Sequence, residues 1–206
     1  MTFWVTILVV RKDVFPVELR LLMRSALLLA LIIIGGKLQI PLPYFDYYTL
    51  QFSFVLLAAV VLPLRYVLLT IGGYVFLGLL GLPVFAAGGG ISYVLRPSFG
   101  YLIGFVVTGA VLACLAGKKT PQTVSQYYIL NFIGLLITYA FGLGYKSLIL
   151  AYYMNEVVPF WVIFTGAMAF DIPADLIMIF FLAILEVKVV PLLTFDRLEL
   201  SRSSAK

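Results

Sequence analysis

Apolar residues run through this chain in long blocks, and the short polar breaks between them set the elements. The first block, "LLMRSALLLALIIIGG" (21–36), approaches the ~20 apolar residues that a helix needs to cross a bilayer. A second block, about 49–63, closes at Pro63, which cannot continue a helix. A third runs from about 66 to 82, and a fourth from about 99 to 117, where "GKKTP" ends it. A fifth covers about 124–144, and a sixth starts near Ile172 and ends before Pro191. The stretch 145–170 contains another apolar run, "VVPFWVIFTGAMAF", which reads as a seventh, broken span or as a re-entrant or outer helix, with six spans plus this extra element the favoured count. The pattern therefore predicts an all-α integral membrane protein with six transmembrane helices plus this extra element, in one polytopic domain over 1–206. Residues 1–20 are expected to form a cytoplasmic or interfacial segment, and 191–206 a cytoplasmic tail. "FWVTILVV" (3–10) is too short for a span or for a signal-peptide core with its cleavage site, and reads as an interfacial or short packed segment.

Composition agrees. The chain is 64% apolar and 11% charged, whereas soluble domains carry about 25% charged residues. Orientation follows from lysine and arginine. With the N-terminus inside, eleven of the fourteen fall on inner segments, among them Arg11, Lys12, Arg20, Arg24, Arg65, Lys118 and Lys119. Only Lys37, Arg96 and Lys146 fall outside. The excess of cations on cytoplasmic loops places both ends in the cytoplasm, with the cell membrane as the location. The net charge of +5 needs no nucleic-acid partner, because attraction to anionic lipid accounts for it.

The candidate chemistry is sparse. The chain has no histidine, the commonest metal ligand and general base, and one cysteine, Cys114, which sits in an apolar run. With carboxylates scattered, no metal site is expected. The passage "LPVFAAGGGISYVLRPSFGY" (82–101) invites comparison with a phosphate loop, but no Lys-Ser/Thr follows the glycines, no strand precedes them and the passage faces outward. Irregular backbone at membrane depth survives only when buried in protein or lining a cavity. A glycine-rich bend with Phe85, Tyr93, Phe99 and Tyr101 around it fits the mouth of a small-molecule pocket. Arg96 either snorkels to water there or pairs with a ligand carboxylate. Asp175 is either a helix-dipole partner or a functional carboxylate, and Gln51 either a wet helix-end group or a hydrogen-bonding group for a ligand. Asp171 and Asp175 share a helical face, as an intramembrane enzyme would require, although Asp171 two residues before Pro173 reads as a helix start. Ala26 and Ala30 form a small-xxx-small pair that suits close helix packing in lipid.

Four segments in one order carry a resemblance: "GKLQIPLP" with "YTLQFSFVLLA" (36–58), "GGYVFLGLLGLPVFAAGGG" (72–90), "RPSFGYLIGF" (96–105) and "FDIPADLI" (170–177). Together they resemble the BioY family, the substrate-binding S components of energy-coupling factor (ECF) vitamin transporters, usually for biotin. The resemblance covers roughly residues 20–190. It implies a six-helix S-component-like bundle that binds biotin from outside, holds no cofactor and contains no ATPase. It implies docking on a membrane T component coupled to two cytosolic ATPase subunits, through a small-residue motif on the first helix that falls here on Ala26 and Ala30.

The sequence departs from the family pattern in places. "DYYTLQ" stands where the family has "PVPxTLQ", "PSFGYL" where it has "PTGGYL", and "PADLIM" where it has "PGDLLK", so Met178 replaces a lysine of the ligand region. On the resemblance, Gln51 and Asp175 would hydrogen-bond the polar head of the vitamin, Arg96 would hold its carboxylate, and Tyr74, Phe85 and Tyr101 would pack its apolar part. The exchange for Met178 keeps lipoate, with its apolar dithiolane head, beside biotin as a ligand. The rivals from other classes are a membrane enzyme using Asp171 and Asp175 and a structural membrane protein with no saturable ligand.

Overall fold

The computed structural model describes residues 16–40, 48–118, 121–154, 158–169 and 171–193. The segment 3–10, with Arg11, Lys12, Lys119 and the tail beyond Leu193, lies outside the described residues. Helix α1 spans Val17–Lys37. Pro16 precedes its first turn, where a missing N–H costs nothing, and Glu18 and Lys37 stand at the ends that the helix dipole favours. A two-residue antiparallel pair follows, β1 (Gln39–Ile40) with β2 (Tyr48–Thr49), in the register Gln39 to Thr49. It is the one departure from helix or turn among the described elements.

Helix α2, Gln51–Val61, is apolar and buried almost throughout, as befits the centre of a bundle. Its 11 residues rise only about 17 Å, less than the expected 49–63 block. The difference arises because 48–49 pair as a strand and Leu62 is extended before Pro63. Helix α3, Leu64–Leu79, starts after Pro63 and contains a π-helical stretch over Leu68–Gly72. Helix α4 spans Phe99–Lys118. Helix α5 spans Val124–Tyr152 and opens on a capping box, in which the Thr123 hydroxyl accepts from the Gln126 backbone and the Gln126 side chain accepts from the Thr123 backbone. The expected end of this helix near 144 is wrong by eight residues. Gly142 and Gly144 do not break it, and Tyr145 anchors the extension by donating to the Val94 carbonyl at 2.6 Å.

The extra element is present as the short helix α6, Phe160–Ala169, and α7 spans Asp171–Leu193. Asp171 is the first residue of α7 rather than the N-cap expected before it, and Pro173 lies in the first turn. The helix does not stop before Pro191. That proline sits in the last turn, where its missing N–H strands a single carbonyl, and the helix continues to Leu193. Helices α4, α5 and α7 are each long and apolar enough to cross a membrane. Helix α1 has the length but carries Glu18, Arg20, Arg24 and Lys37, and α2 and α3 are shorter.

Close packing of α4 on α5 organises the bundle. A Cβ on Gly104 would lie 3.0 Å from both the Cα and the carbonyl oxygen of Thr138, and one on Gly100 would lie 2.3 Å from the Tyr145 Cβ. The approach lets the Thr108 hydroxyl reach the Gly134 carbonyl at 3.1 Å and the Thr138 hydroxyl at 2.9 Å. Small residues that admit a neighbouring backbone, with hydroxyls bridging the helices, are the means by which helices associate in lipid. Gly104→Val should therefore cost about 1–3 kcal/mol, because the obstacle is backbone. Thermal melts in detergent should show that loss for Gly104→Val and a smaller one for Gly104→Ala.

Candidate functional site

The bundle has two distinct ends. The connections at Pro63 and between α4 and α5 lie at one; the 82–98 connection and α6 lie at the other. A cavity of about 310 Å³ opens at the second end, at the lower limit of the ~300–1,000 Å³ usual for small-molecule sites.

The 82–98 connection makes one wall, and its local chemistry explains its shape. Phe85 and Gly88 exchange two backbone hydrogen bonds, at 2.9 and 3.2 Å, closing a tight turn. Gly88 takes φ +115°, which a side chain would resist, and a Cβ on Gly89 would lie 2.1 Å from the Leu82 carbonyl oxygen. The glycines thus fold the chain on itself and cradle no phosphate. Lys37 at the end of α1 and Gln39 in β1 donate to two carbonyls of this turn. Lys37 donates to the Phe85 carbonyl at 2.7 Å, and Gln39 to the Ala86 carbonyl at 2.5 Å. An aromatic series then braces the wall. Tyr74 meets Phe85 edge-on at 5.3 Å, and Phe85 meets Tyr93 at 4.5 Å. Of the three, Tyr93 is the ring that lines the cavity.

Three of the seven predicted ligand residues line the cavity: Gln51, Tyr101 and Asp175. Gln51 is buried at the start of α2, and its amide nitrogen has no hydrogen-bond partner among the described residues. The tight approach of α1 fixes it, since a Cβ on Gly36 would lie 2.9 Å from the Gln51 Oε1. Asp175 is buried on α7, and its Oδ2 accepts from the Tyr139 hydroxyl at 2.7 Å. The bond spares this buried carboxyl oxygen the cost of going unpartnered. Tyr139 in turn meets Tyr101 edge-on at 5.7 Å, so the three side chains hold one another.

The other four predicted residues are placed elsewhere. Tyr74 and Phe85 are wholly buried behind the wall and outside the cavity lining, because Tyr93 stands in front of them. Arg96 is exposed and outside the lining, with its guanidinium 5.3 Å from the centre of the Tyr93 ring. Met178 faces α2, where its sulfur accepts from the Ser53 hydroxyl, and it too lies outside the lining. The docking pair Ala26 and Ala30 is exposed on α1. Asp171 lines the cavity one turn before Asp175.

The reading of the sequence missed Lys146, Tyr139, Thr138 and Ser98, all of which line the cavity. The signal for the first was available. Tyr139, Leu143, Lys146 and Leu150 recur at helical spacing on one face, and a helix drawn past 144 would have aligned them. Among the described residues no group of three histidine, cysteine or carboxylate side chains could hold a metal ion.

A sequence model of the BioY family matches residues 10–195. The chain belongs to the BioY family. The probable biotin transporter BioY of Lysinibacillus sphaericus is 40% identical over 134 residues, covering 65% of this chain and 68% of the relative. The biotin transporter BioY of Thermotoga maritima is 37% identical over 140 residues, covering 68% and 79%. Among solved structures, the S-component for biotin from an ECF-type ABC transporter superposes with a TM-score of 0.74 at 26% identity, over 84% of this chain and 91% of that one. The family expectation drawn from the four sequence segments is thus met, and the fold of an S component with it.

The aromatic brace gives a test of how the wall stands. Phe85→Ala should cost about 3–5 kcal/mol, as for other buried aromatics. Limited proteolysis should then cut within 82–98 in the variant and spare the parent chain.

Proposed function

We propose that this chain is the S component of an ECF-type vitamin importer and that it binds biotin in the cavity beside the 82–98 connection. The observation that carries the reading is the distribution of polar groups. Gln51 and the Asp175–Tyr139 pair both line the cavity. Lys146 stands two turns further along the same face of α5, about 10 Å away. Aromatic and aliphatic groups, among them Phe52, Tyr93 and Tyr101, line the cavity along with them. Biotin has the matching order: a ureido ring that both donates and accepts, an apolar thioether ring and tail, and a terminal carboxylate. In this pose Asp175 accepts from the ureido N–H groups, Gln51 Nε2 donates to the ureido oxygen, and Lys146 rather than Arg96 holds the carboxylate.

Lipoate loses its support. The reason for keeping it was Met178, and Met178 packs on Ser53 away from the cavity lining. The relatives named above are named for biotin. Their being transporters supports a non-enzymatic role, with Asp171 and Asp175 serving the pocket and no reaction. In the cell membrane we place the cavity on the outer side and both termini in the cytoplasm, with six helices traversing the bilayer and α6 beside the mouth. The exposed face of Ala26 and Ala30 would meet a membrane T component that draws on two cytosolic ATPase subunits.

Calorimetry on the purified chain is the primary test. Saturable, tight binding of biotin and much weaker binding of lipoate are expected; absence of saturable biotin binding overturns the reading. Lys146→Met should weaken biotin about tenfold or more and leave uncharged biotin amide unaffected, whereas Arg96→Met should change biotin affinity by no more than about twofold. Docking is tested separately. Ala26→Trp or Ala30→Trp should abolish biotin uptake by the assembled transporter while calorimetric binding stays intact, and uptake that survives would remove α1 as the docking face.

A further inference from the structure

Away from the cavity, in the half of the bundle near Pro63, a second polar group ties the same two helices together. Glu186 on α7 is fully buried, as is Asn131 on α5, and Asn131 Nδ2 donates to Glu186 Oε2 at 2.8 Å. The remaining atoms of the pair, Glu186 Oε1 and Asn131 Oδ1, have no hydrogen-bond partner among the described residues. Both are acceptors when the acid is ionised. Tyr127, one turn earlier on α5 and equally buried, lies close enough to Glu186 to interact with it electrostatically, and its hydroxyl is unpartnered too.

Among the described residues, no charged group neutralises this pair. Helices α2 and α6, which also pack on α7, carry no charged side chain. Lys188 is exposed on the far side of α7. Of the buried arginines of α1, Arg24 donates to the Leu193 carbonyl, seven residues or about 10 Å along α7 from Glu186. An ionised carboxylate in apolar surroundings with no cation against it is strongly disfavoured, and such a group neutralises instead. One proton resolves the geometry, because a carboxylic acid and a primary amide can close a ring of two hydrogen bonds.

We propose that Glu186 and Asn131 form a proton-binding site, in which Glu186 is held as the neutral acid and donates from Oε1 to Asn131 Oδ1 while Asn131 Nδ2 donates to Oε2. The proton locks α5 to α7 in the half of the bundle that the vitamin does not reach. The Tyr139–Asp175 bond holds the same helices in the half that it does.

Infrared difference spectroscopy of the purified chain at neutral pH tests this. Parent minus Glu186→Gln should show the C=O stretch of a protonated carboxyl group, sensitive to deuterium exchange, and Asn131→Leu should shift that band. Thermal melts should show the parent losing several degrees as pH rises from neutral into the alkaline range, because an acid kept protonated only in the folded state contributes less as protons become scarce. Glu186→Gln keeps both hydrogen bonds without a proton, so its melting temperature should not follow that course. A carboxylate band at neutral pH in the parent overturns the proposal, as do parallel melting profiles. Loss of the protonated band on adding sodium at constant ionic strength would overturn it in favour of a metal-cation site.

Discussion

Hydrocarbon offers no hydrogen bonds, so every backbone N–H and C=O within a bilayer must find its partner inside the chain. Most of this protein meets that constraint with helices. The 82–98 connection meets it differently, and the site depends on how. Its glycines bring backbone onto backbone, with Gly90 N–H donating to the Gly78 carbonyl at 2.7 Å and Phe85 pairing with Gly88. Lys37 adds a second donor to the Phe85 carbonyl, and Gln39 takes up that of Ala86. An irregular loop thereby becomes a fixed wall, and Tyr93 can face a cavity without the loop collapsing into it.

The second requirement is a helix long enough to reach past the bilayer. Helix α5 has 29 residues, about 43 Å, against a hydrocarbon core of about 30 Å. The close fit at Gly100 and Gly104 sets its height on α4. Its projecting end brings Lys146 and Leu150 over the cavity, above the level at which Tyr139 bonds Asp175. A shorter helix would leave the site with its polar floor and no cation.

Much of this was legible in the sequence. The order of helices, the extra element before the last one and the roles of Gln51, Tyr101 and Asp175 as cavity-lining groups follow from apolar blocks and from motifs that sit at helix starts. Three things were not. The length of α5 was hidden because Gly142 and Gly144 look like breakers, yet Gly142 is where the Tyr101 ring packs and a Cβ there would lie 2.4 Å from it. The separation of Phe85 from Tyr93, one behind the wall and one on it, depends on a turn whose direction no local pattern states. The placement of Arg96 outside the lining and Lys146 within it is a property of two distant segments meeting. Sequence proximity to the pocket motif favoured a cation that stands outside the lining.

The Tyr145–Val94 hydrogen bond joins these two segments. It fastens the projecting end of α5 to the loop that forms the opposite wall. The loop also reaches the cavity directly through Ala86, Tyr93 and Ser98, so the two walls are coupled both through this bond and across the cavity. Were a ligand to order both walls, part of its binding free energy would go into that ordering, and a second partner meeting the ordered surface would not have to supply it again.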